Sequence, residues 1–340
     1  MKALVLAAGQ GSRLSRWTPA LPKPFAPVAN WPVLSWVLHH LDTAGIDDIG
    51  VIVPGDSLDL YAKGFGTRTP EGTPVTWLAE RTPLGTGGCL RAQADFFAGA
   101  PAVVVPSDIV SGVGLKALIA HHAQVGAPVT VAAVPRDGMA WQGDVLVPDP
   151  DLPGRAAAYA FKPRASAGMR MGSTGAWVVD PSVFAHIPVD RFCDFSSEVL
   201  PRLTGLGVPL GLFDAGEDVY LRDIGTPAKL LVGNQEAVRG LTPSAPRQLP
   251  GSAPLIASGA DIGAEVVVGP GARIGAGARI VGPSVIGSYA EVGRGAVVTA
   301  AVLLPGARVE EGTHVESDII GTGGEAREAL LACGPFGRMP

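Results

Sequence analysis

Residues 2–24 read KALVLAAGQGSRLSRWTPALPKP, and the rest of the chain is best approached from this stretch. Lys2–Leu6 carries an unbroken aliphatic run, the pattern of a strand buried on both faces. It ends at Ala7-Ala8 and passes into Gly9-Gln10-Gly11-Ser12-Arg13. A glycine-rich loop directly after a strand lets backbone N–H groups come close to a phosphate. Arg13 and Lys23, the latter between Pro22 and Pro24, supply the positive charge a triphosphate requires. A dinucleotide-binding fingerprint would need a third glycine where Leu14 stands, and the Gly-Lys-Ser/Thr of a Walker A loop is absent. The alternative is a plain βα turn with a few surface cations.

Outward from this loop, short β-type runs alternate with helical ones up to about residue 240. Strands are expected at Ile49–Val53, Val75–Leu78, Ala102–Val105, Val129–Val134, Tyr159–Phe161 and Thr174–Val179. Helices are expected at Val33–Ala44, stopped by Gly45, and at Thr86–Phe97, Leu115–Gln124, Phe195–Leu203 and Pro227–Val238. Such alternation predicts an α/β fold with a mainly parallel sheet covered on both faces. Leu241–Ser252 holds three prolines and little that packs, and reads as a linker. Beyond it Ile256, Ile262, Val268, Ile274, Ile280, Ile286, Val292, Val298 and Leu304 recur every six residues, often followed by glycine and often with a small residue two positions before. Period six fits neither a helix nor a simple strand; it fits a coil that returns one aliphatic position inward after each short strand. After Leu304 the phase moves by one residue, to Val309 and Val315, and Glu325–Ala332 is expected to form a short terminal helix.

Composition narrows the function classes. Charged residues make up 17% and hydrophobic ones 47%, which excludes a disordered chain. The net charge of −5 offers nothing to nucleic acid or an anionic membrane. The apolar start is cut short by Gly9–Arg13 before it could form a signal sequence, and no run approaches the ~20 apolar residues of a membrane span, so a cytoplasmic protein is expected. Cys89, Cys193 and Cys333 are odd in number and far apart, and read as reduced thiols. The pairs His39-His40 and His121-His122 are expected to face solvent.

The first loop, LVLAAGQGSRL followed by PKPFAPVANWPVL, resembles the signature of the sugar-phosphate nucleotidylyltransferases, and the resemblance recurs in order. Glu80–Gly88 (ERTPLGTGG) is similar to that family's segment beside the nucleobase, Val103–Asp108 to its strand ending in Gly-Asp, Lys162-Pro163 to the end of its Glu-Lys-Pro, and Leu221–Pro227 (LRDIGTP) to its Trp-x-Asp-Ile-Gly-Thr-Pro. The six-residue repeat resembles that of left-handed parallel β-helices, in which three hexapeptides make one coil, so three to four coils are implied. Several family members, including mannose-1-phosphate guanylyltransferases, carry such a domain after the linker.

The resemblance implies a Rossmann-like nucleotidyltransferase domain over 1–240, a linker over 241–252, a left-handed β-helix over 253–322 and a tail over 323–340. It implies that a nucleotidyl group passes from an NTP to a sugar 1-phosphate. GTP is favoured over UTP or dTTP by the Pro-Lys-Pro at 22–24 and by the architecture. For the nucleotide it points to Ala7, Ala8, Gly9, Gly11, Ser12, Arg13, Lys23, Pro83, Gly85, Thr86 and Asp108, with Gly85 letting the base lie against the main chain. For the sugar phosphate it points to Gly143, Phe161, Lys162, Ser173, Thr174 and Gly175. Two anions must be brought together, so positioning and charge neutralisation dominate such a reaction. Arg13, Lys23, Asp108, Lys162 and Asp223 are the expected catalytic set, with Asp108 and Asp223 holding Mg²⁺.

Some positions depart from the family pattern. Phe161 stands where a glutamate precedes the lysine, Ser173 where an asparagine is usual, and Trp141-Gln142-Gly143 carries an inserted residue. Losing two polar groups predicts a less hydroxylated or unusual sugar. A homo-oligomer is expected from the flat repeat surface. Two other functions compete, a catalytically silent nucleotide-sugar sensor and a bifunctional enzyme with acyl transfer near His314. The first would have lost part of the charged set, which is intact here, and the second would need more than one histidine.

Overall fold

The computed structural model describes residues 1–9, 14, 22–137, 143–163, 169–246 and 251–321. Gly11, Ser12, Arg13, Trp141, Gln142 and the terminal helix expected at Glu325–Ala332 lie outside these residues, as does Cys333.

In the first part of the chain the strands are β1 (Lys2–Leu6), β2 (Pro27–Val28), β3 (Trp31–Pro32), β4 (Asp48–Pro54), β5 (Val75–Glu80), β6 (Ala102–Pro106), β7 (Ile109–Ser111) and β8 (Val129–Asp137). They continue with β9 (Val145–Pro148), β10 (Arg155–Ala160), β11 (Met169–Val179), β12 (Leu210–Asp214) and β13 (Leu221–Asp223). The helices are α1 (Val33–Thr43), α2 (Leu58–Phe65), α3 (Gly85–Ala92), α4 (Ala94–Phe97), α5 (Leu115–Val125), α6 (Leu200–Gly205) and α7 (Pro227–Val238).

Nine strands form one sheet in the order β5-β4-β1-β6-β11-β8-β12-β10-β9. The expectation of a mainly parallel sheet holds only for the β5-β4-β1-β6 half, where every pairing is parallel. From β11 onward the pairings are antiparallel except β8–β12. Only β9–β10 is a hairpin-like return between consecutive strands; the other antiparallel pairs arise because β11 enters between β6 and β8, and β10 beside β12, running opposite to their neighbours.

Period-two alternation along β1 divides the core. Ala3, Val5 and Ala7 face Leu34, Leu38, Tyr61 and Leu118 on one side, and Leu4 faces Ile52, Leu90, Phe97 and Val104 on the other. Leu6 and Ala8 lie on this second side, partly buried. Gly50 on β4 is required by this packing, since a Cβ there would lie 2.7 Å from Leu4 and 2.8 Å from Leu78. The helix expected at Thr86–Phe97 is broken at Gln93 into α3 and α4, and the one expected at Phe195–Leu203 starts as a π-turn before α6.

The strands after residue 254 form three parallel sheets of four strands each. Leu255 pairs with Arg273 and Arg273 with Glu291, so one coil takes 18 residues, or three hexapeptides. These sheets are consistent with a β-helix of four coils. Ile274, Ile280, Ile286, Val292 and Val298 fill its interior with the small Ala272, Ala278, Ala290 and Ala296. The glycines that follow the aliphatics have a steric cause. A Cβ on Gly269, Gly275, Gly287 or Gly293 would lie 2.5–2.7 Å from the backbone of the next coil. The phase changes earlier than the sequence indicated. Ile286 pairs with Leu303, one residue short of the period, so Leu303 points inward and Leu304 outward.

Leu304 faces the first part of the chain. Val285, Val302, Leu304 and Ile319 share a buried cluster with Val28, Trp31, Trp36, Ile224 and Leu230. Polar bonds join the same surfaces, Asn30 Nδ2 donating to the Ile286 carbonyl (3.1 Å) and Gln235 Nε2 to that of Ala300 (2.9 Å). No helix among the described residues is long and apolar enough to cross a membrane.

Candidate functional site

Lys23 starts a single 3-10 turn, Lys23–Phe25, after Pro22. Phe25 anchors that turn, its ring 5.1 Å from Tyr61 and 4.8 Å from Phe65, so the lysine side chain is left to project toward the sheet's carboxyl edge. Asp108 follows β6. Its backbone carbonyl accepts from Ile224 N (2.9 Å), and the antiparallel β7–β13 pair sets Asp223 opposite Ile109. This register, and nothing local, brings two distant carboxylates side by side.

The Lys23 ammonium bonds Asp108 Oδ2 and lies 3.4 Å from Asp223 Oδ1. Asp223 Oδ1 also accepts from Gly225 N at 2.6 Å, and Oδ2 from Lys229 Nζ at 2.6 Å. Burial on its own would raise the Asp223 carboxyl. The Lys229 hydrogen bond, the charges of Lys23 and Lys229 and the Gly225 amide outweigh it and hold the group below the usual carboxylate value. A Cβ on Gly225 would sit 2.7 Å from Asp223 Oδ1 and 2.9 Å from Lys23 Nζ, so a larger residue there would push these two charged groups from their positions. Arg222 turns the other way, to Glu236, and takes no part in this cluster.

These groups stand at one side of a cleft of about 980 Å³. Of the residues singled out from the sequence, Ala8, Gly9, Lys23, Pro83, Gly85, Thr86, Asp108, Gly143, Lys162, Ser173, Thr174, Gly175 and Asp223 line it. Ala7 does not. It is 1% exposed, on the opposite face of β1 from Ala8, as the alternation of a strand requires. Phe161 does not line the cleft either; its ring is exposed and lies 4.9 Å from the Lys162 ammonium. Lys162 itself holds a backbone φ of +37°, an uncommon region for a side chain-bearing residue.

Gly85 and Thr86 also have structural roles of their own. Gly85 has φ +72°, and a Cβ there would lie 2.7 Å from the Cys193 carbonyl. That carbonyl accepts from the amides of Gly87 (2.8 Å) and Gly88 (3.0 Å), so the glycines serve a close approach of two chain segments. The Thr86 hydroxyl bonds Asp194 Oδ2 (2.9 Å) and accepts from Phe195 N (2.7 Å), fixing α3 to the wall behind it. Thr174, likewise, donates to the Ala132 carbonyl at 2.9 Å. By contrast, no described residue lies within 4 Å of a Cβ on Gly9.

The cleft also contains residues that sequence patterns did not single out as site residues, among them Asp144, Trp177, Ser196 and Lys229. Lys229 had a signal, since a lysine in the first turn after Thr226-Pro227 lies one turn from the Asp223 strand. Thr226 caps that helix, its hydroxyl accepting from Lys229 N at 3.3 Å. Asp144 is held by the Tyr159 hydroxyl at 2.8 Å. The cysteine thiols are not chemical candidates: Cys89 and Cys193 are free and buried, and burial with the nearby Glu80 charge pushes the Cys89 thiol up to about 12.

No three His, Cys, Asp or Glu side chains cluster among the described residues. The carboxylates of Asp108 and Asp223, both lining the cleft, could hold an ion such as magnesium, which takes one or two protein carboxylates and completes its shell with phosphate oxygens and water.

The nucleotidyl transferase family model matches residues 2–239, the whole of the part that builds this cleft. The chain belongs to the nucleotidyl transferase family. This family member is 31% identical over 330 residues to the mannose-1-phosphate guanylyltransferase of Mycobacterium tuberculosis (strain ATCC 25618 / H37Rv), covering 92% of this chain and 82% of that protein. It is 32% identical over 329 residues to the mannose-1-phosphate guanyltransferase of Candida albicans (strain SC5314 / ATCC MYA-2876), covering 94% and 86%. To the probable mannose-1-phosphate guanylyltransferase 1 of Oryza sativa subsp. japonica it is 29% identical over 327 residues, again covering 94% and 86%. In each case the match runs well past residue 239, so this nucleotidyl transferase resembles those proteins through its coiled C-terminal part as well.

Proposed function

We propose that this enzyme transfers a guanylyl group from GTP to mannose 1-phosphate or a related sugar 1-phosphate, releasing pyrophosphate. The observation that carries this reading is the convergence of Lys23, Asp108 and Asp223 in a cleft that also holds Lys162. The relatives' names supply the nucleotide and the sugar. A phosphate oxygen of the sugar 1-phosphate attacks the α-phosphorus in line, a new P–O bond forms, and the bond to the β-phosphate oxygen breaks.

The chain's part is to place two anions and neutralise them. Gly9, which carries no side chain, lets the triphosphate approach the end of β1, and Gly11, Ser12 and Arg13 continue that loop in sequence. Lys23 turns from its carboxylates to the β- and γ-phosphates and offsets charge on the departing pyrophosphate. Lys162 orients the sugar phosphate, and Gly143, Ser173 and Gly175 surround the sugar. Asp108 and Asp223 would hold Mg²⁺, which supplies charge neutralisation on the phosphate oxygens. No covalent enzyme intermediate is needed.

The same reading takes residues 1–240 as the catalytic domain and 253–322 as a left-handed β-helix that mediates self-association, in a cytoplasmic enzyme. Pyrophosphate release with purified protein, Mg²⁺, each of GTP, UTP and dTTP and a panel of sugar 1-phosphates tests it. GTP with mannose 1-phosphate should give the highest kcat/KM. Release with no pair of substrates, despite nucleotide binding, would instead make the chain a nucleotide-sugar sensor. A clear preference for a less hydroxylated sugar would trace to Ser173, which lines the cleft where an asparagine is usual, and not to Phe161, whose ring lies outside it.

A further inference from the structure

Each oxygen of Asp223 has its own cation. Oδ1 takes the Gly225 amide at 2.6 Å and the Lys23 ammonium at 3.4 Å, while the contact at Oδ2 is the Lys229 ammonium at 2.6 Å. Lys23 in turn bonds Asp108. Two carboxylates and two ammonium groups thus form a cluster of zero net charge within one cleft wall. A divalent cation arriving alone would have to displace ammonium from carboxylate and leave that ammonium without a counter-ion. A cation arriving with a polyphosphate meets no such obstacle, because the phosphate oxygens receive the displaced ammonium groups. Lys229 is placed for this exchange: it stands in the first turn of α7, its side chain is 43% exposed, and it lines the cleft.

We infer that Lys229 is a positioning residue that occupies Oδ2 of Asp223 until nucleotide arrives, making metal binding conditional on the nucleotide. The inference rests on the reading of Asp108 and Asp223 as the carboxylates of the metal site. Lys229 acts through Asp223, and its removal should expose Oδ2 to a metal without help from a phosphate.

Mn²⁺ binding, followed by electron paramagnetic resonance of the free ion, tests this on the full-length protein with and without GTP. Without nucleotide, Lys229→Met should bind Mn²⁺ about twofold to fivefold more tightly than wild type, the size expected for losing one part-exposed ion pair. Lys229→Arg, which keeps the charge, should bind like wild type. With GTP present the gap between Lys229→Met and wild type should close or reverse. Equal Mn²⁺ affinity of Lys229→Met and wild type in the absence of nucleotide would overturn the inference, and so would Lys229→Arg behaving like Lys229→Met. Lys229→Gln serves as the second neutral variant should the methionine lower stability. The underlying reading fails separately: Mn²⁺ binding in the presence of GTP that is unchanged by Asp108→Asn with Asp223→Asn would place the metal elsewhere, whatever Lys229 does.

Discussion

At the scale of single residues the cleft depends on charge balance, and two substitutions separate catalysis from folding. Asp108→Asn keeps the shape of the side chain and leaves Lys23 with Asp223 as partner. Pyrophosphate release should fall by about 10²–10³-fold, the usual cost of one lost electrostatic contact at a transition state, while the unfolding temperature stays near that of wild type. Lys23→Met leaves Asp108 and Asp223 facing each other with one cation fewer, so it should lower both turnover and thermal stability. A melting curve beside the pyrophosphate assay distinguishes the two patterns, and wild-type turnover in Asp108→Asn would remove the metal assignment. Most of this cluster was legible from the sequence, because Lys23, Asp108 and Asp223 each sit at a recognisable turn. Lys229 left only its spacing after Thr226-Pro227 as a signal, and its bond to Asp223 depends on how α7 leaves β13. That the Ala7 side chain is buried away from the cleft was not legible either, because the end of a strand does not show where alternation places it.

At the scale of elements, backbone proximity in the coils makes a sharp prediction. Gly293→Ala would force a Cβ to 2.5 Å from Glu311 N and 2.8 Å from the Glu310 carbonyl carbon, both backbone atoms that cannot step aside. A loss of about 1–3 kcal/mol is expected in chemical denaturation. Gly205→Ala at the end of α6 meets nothing within 4 Å, and its φ lies outside the positive region, so it should be neutral or stabilise by about 0.4–1 kcal/mol.

A second prediction concerns α1 and α5. The expectation that their histidines face solvent fails for His122, which is buried with Nδ1 2.8 Å from the Thr130 hydroxyl, and in part for His40, 2.7 Å from the Val113 carbonyl. Burial lowers both pKa values below the ordinary 6.5, the Val113 carbonyl and the Asp180 charge opposing it only in part. The unfolded chain therefore takes up these protons first. The stabilising contribution is full above pH 6.5 and is lost as pH falls from there through the lowered native values. The unfolding temperature should decline over that interval, and a His122→Gln variant should show a shallower decline.

At the scale of the whole molecule, the N-terminal hairpin of β2 and β3, helix α7 and the coils share one apolar cluster. A common core predicts that the two parts unfold together. Calorimetry should show one transition for the wild type, and Leu304→Ala should destabilise by about 2–5 kcal/mol, the cost of emptying a fully buried leucine site. Leu304→Asp should separate the transition into two, the coils persisting after the cleft has melted. Two resolved transitions in the wild type would show that the interface couples nothing. A role for Leu304 in this interface could not be read from the repeat, which assigned it to the coil interior. The corner after Val298 is one residue short, and a one-residue slip turns a side chain to the opposite face.

Local pattern was enough to reveal β1, α1, α7 and the six-residue coil, because burial on both faces leaves an unbroken aliphatic run and burial on one side leaves its mark at intervals of 3.6 or six residues. The identities of the charged side chains, too, were open to inspection in the order of the motifs. Strand direction after β8, the face taken by Ala7, the pairing of Asp223 with Lys229 and the outward turn of Leu304 were decided only in three dimensions. Each depends on which distant segment lies alongside and in what register, and no spacing within a single segment records that.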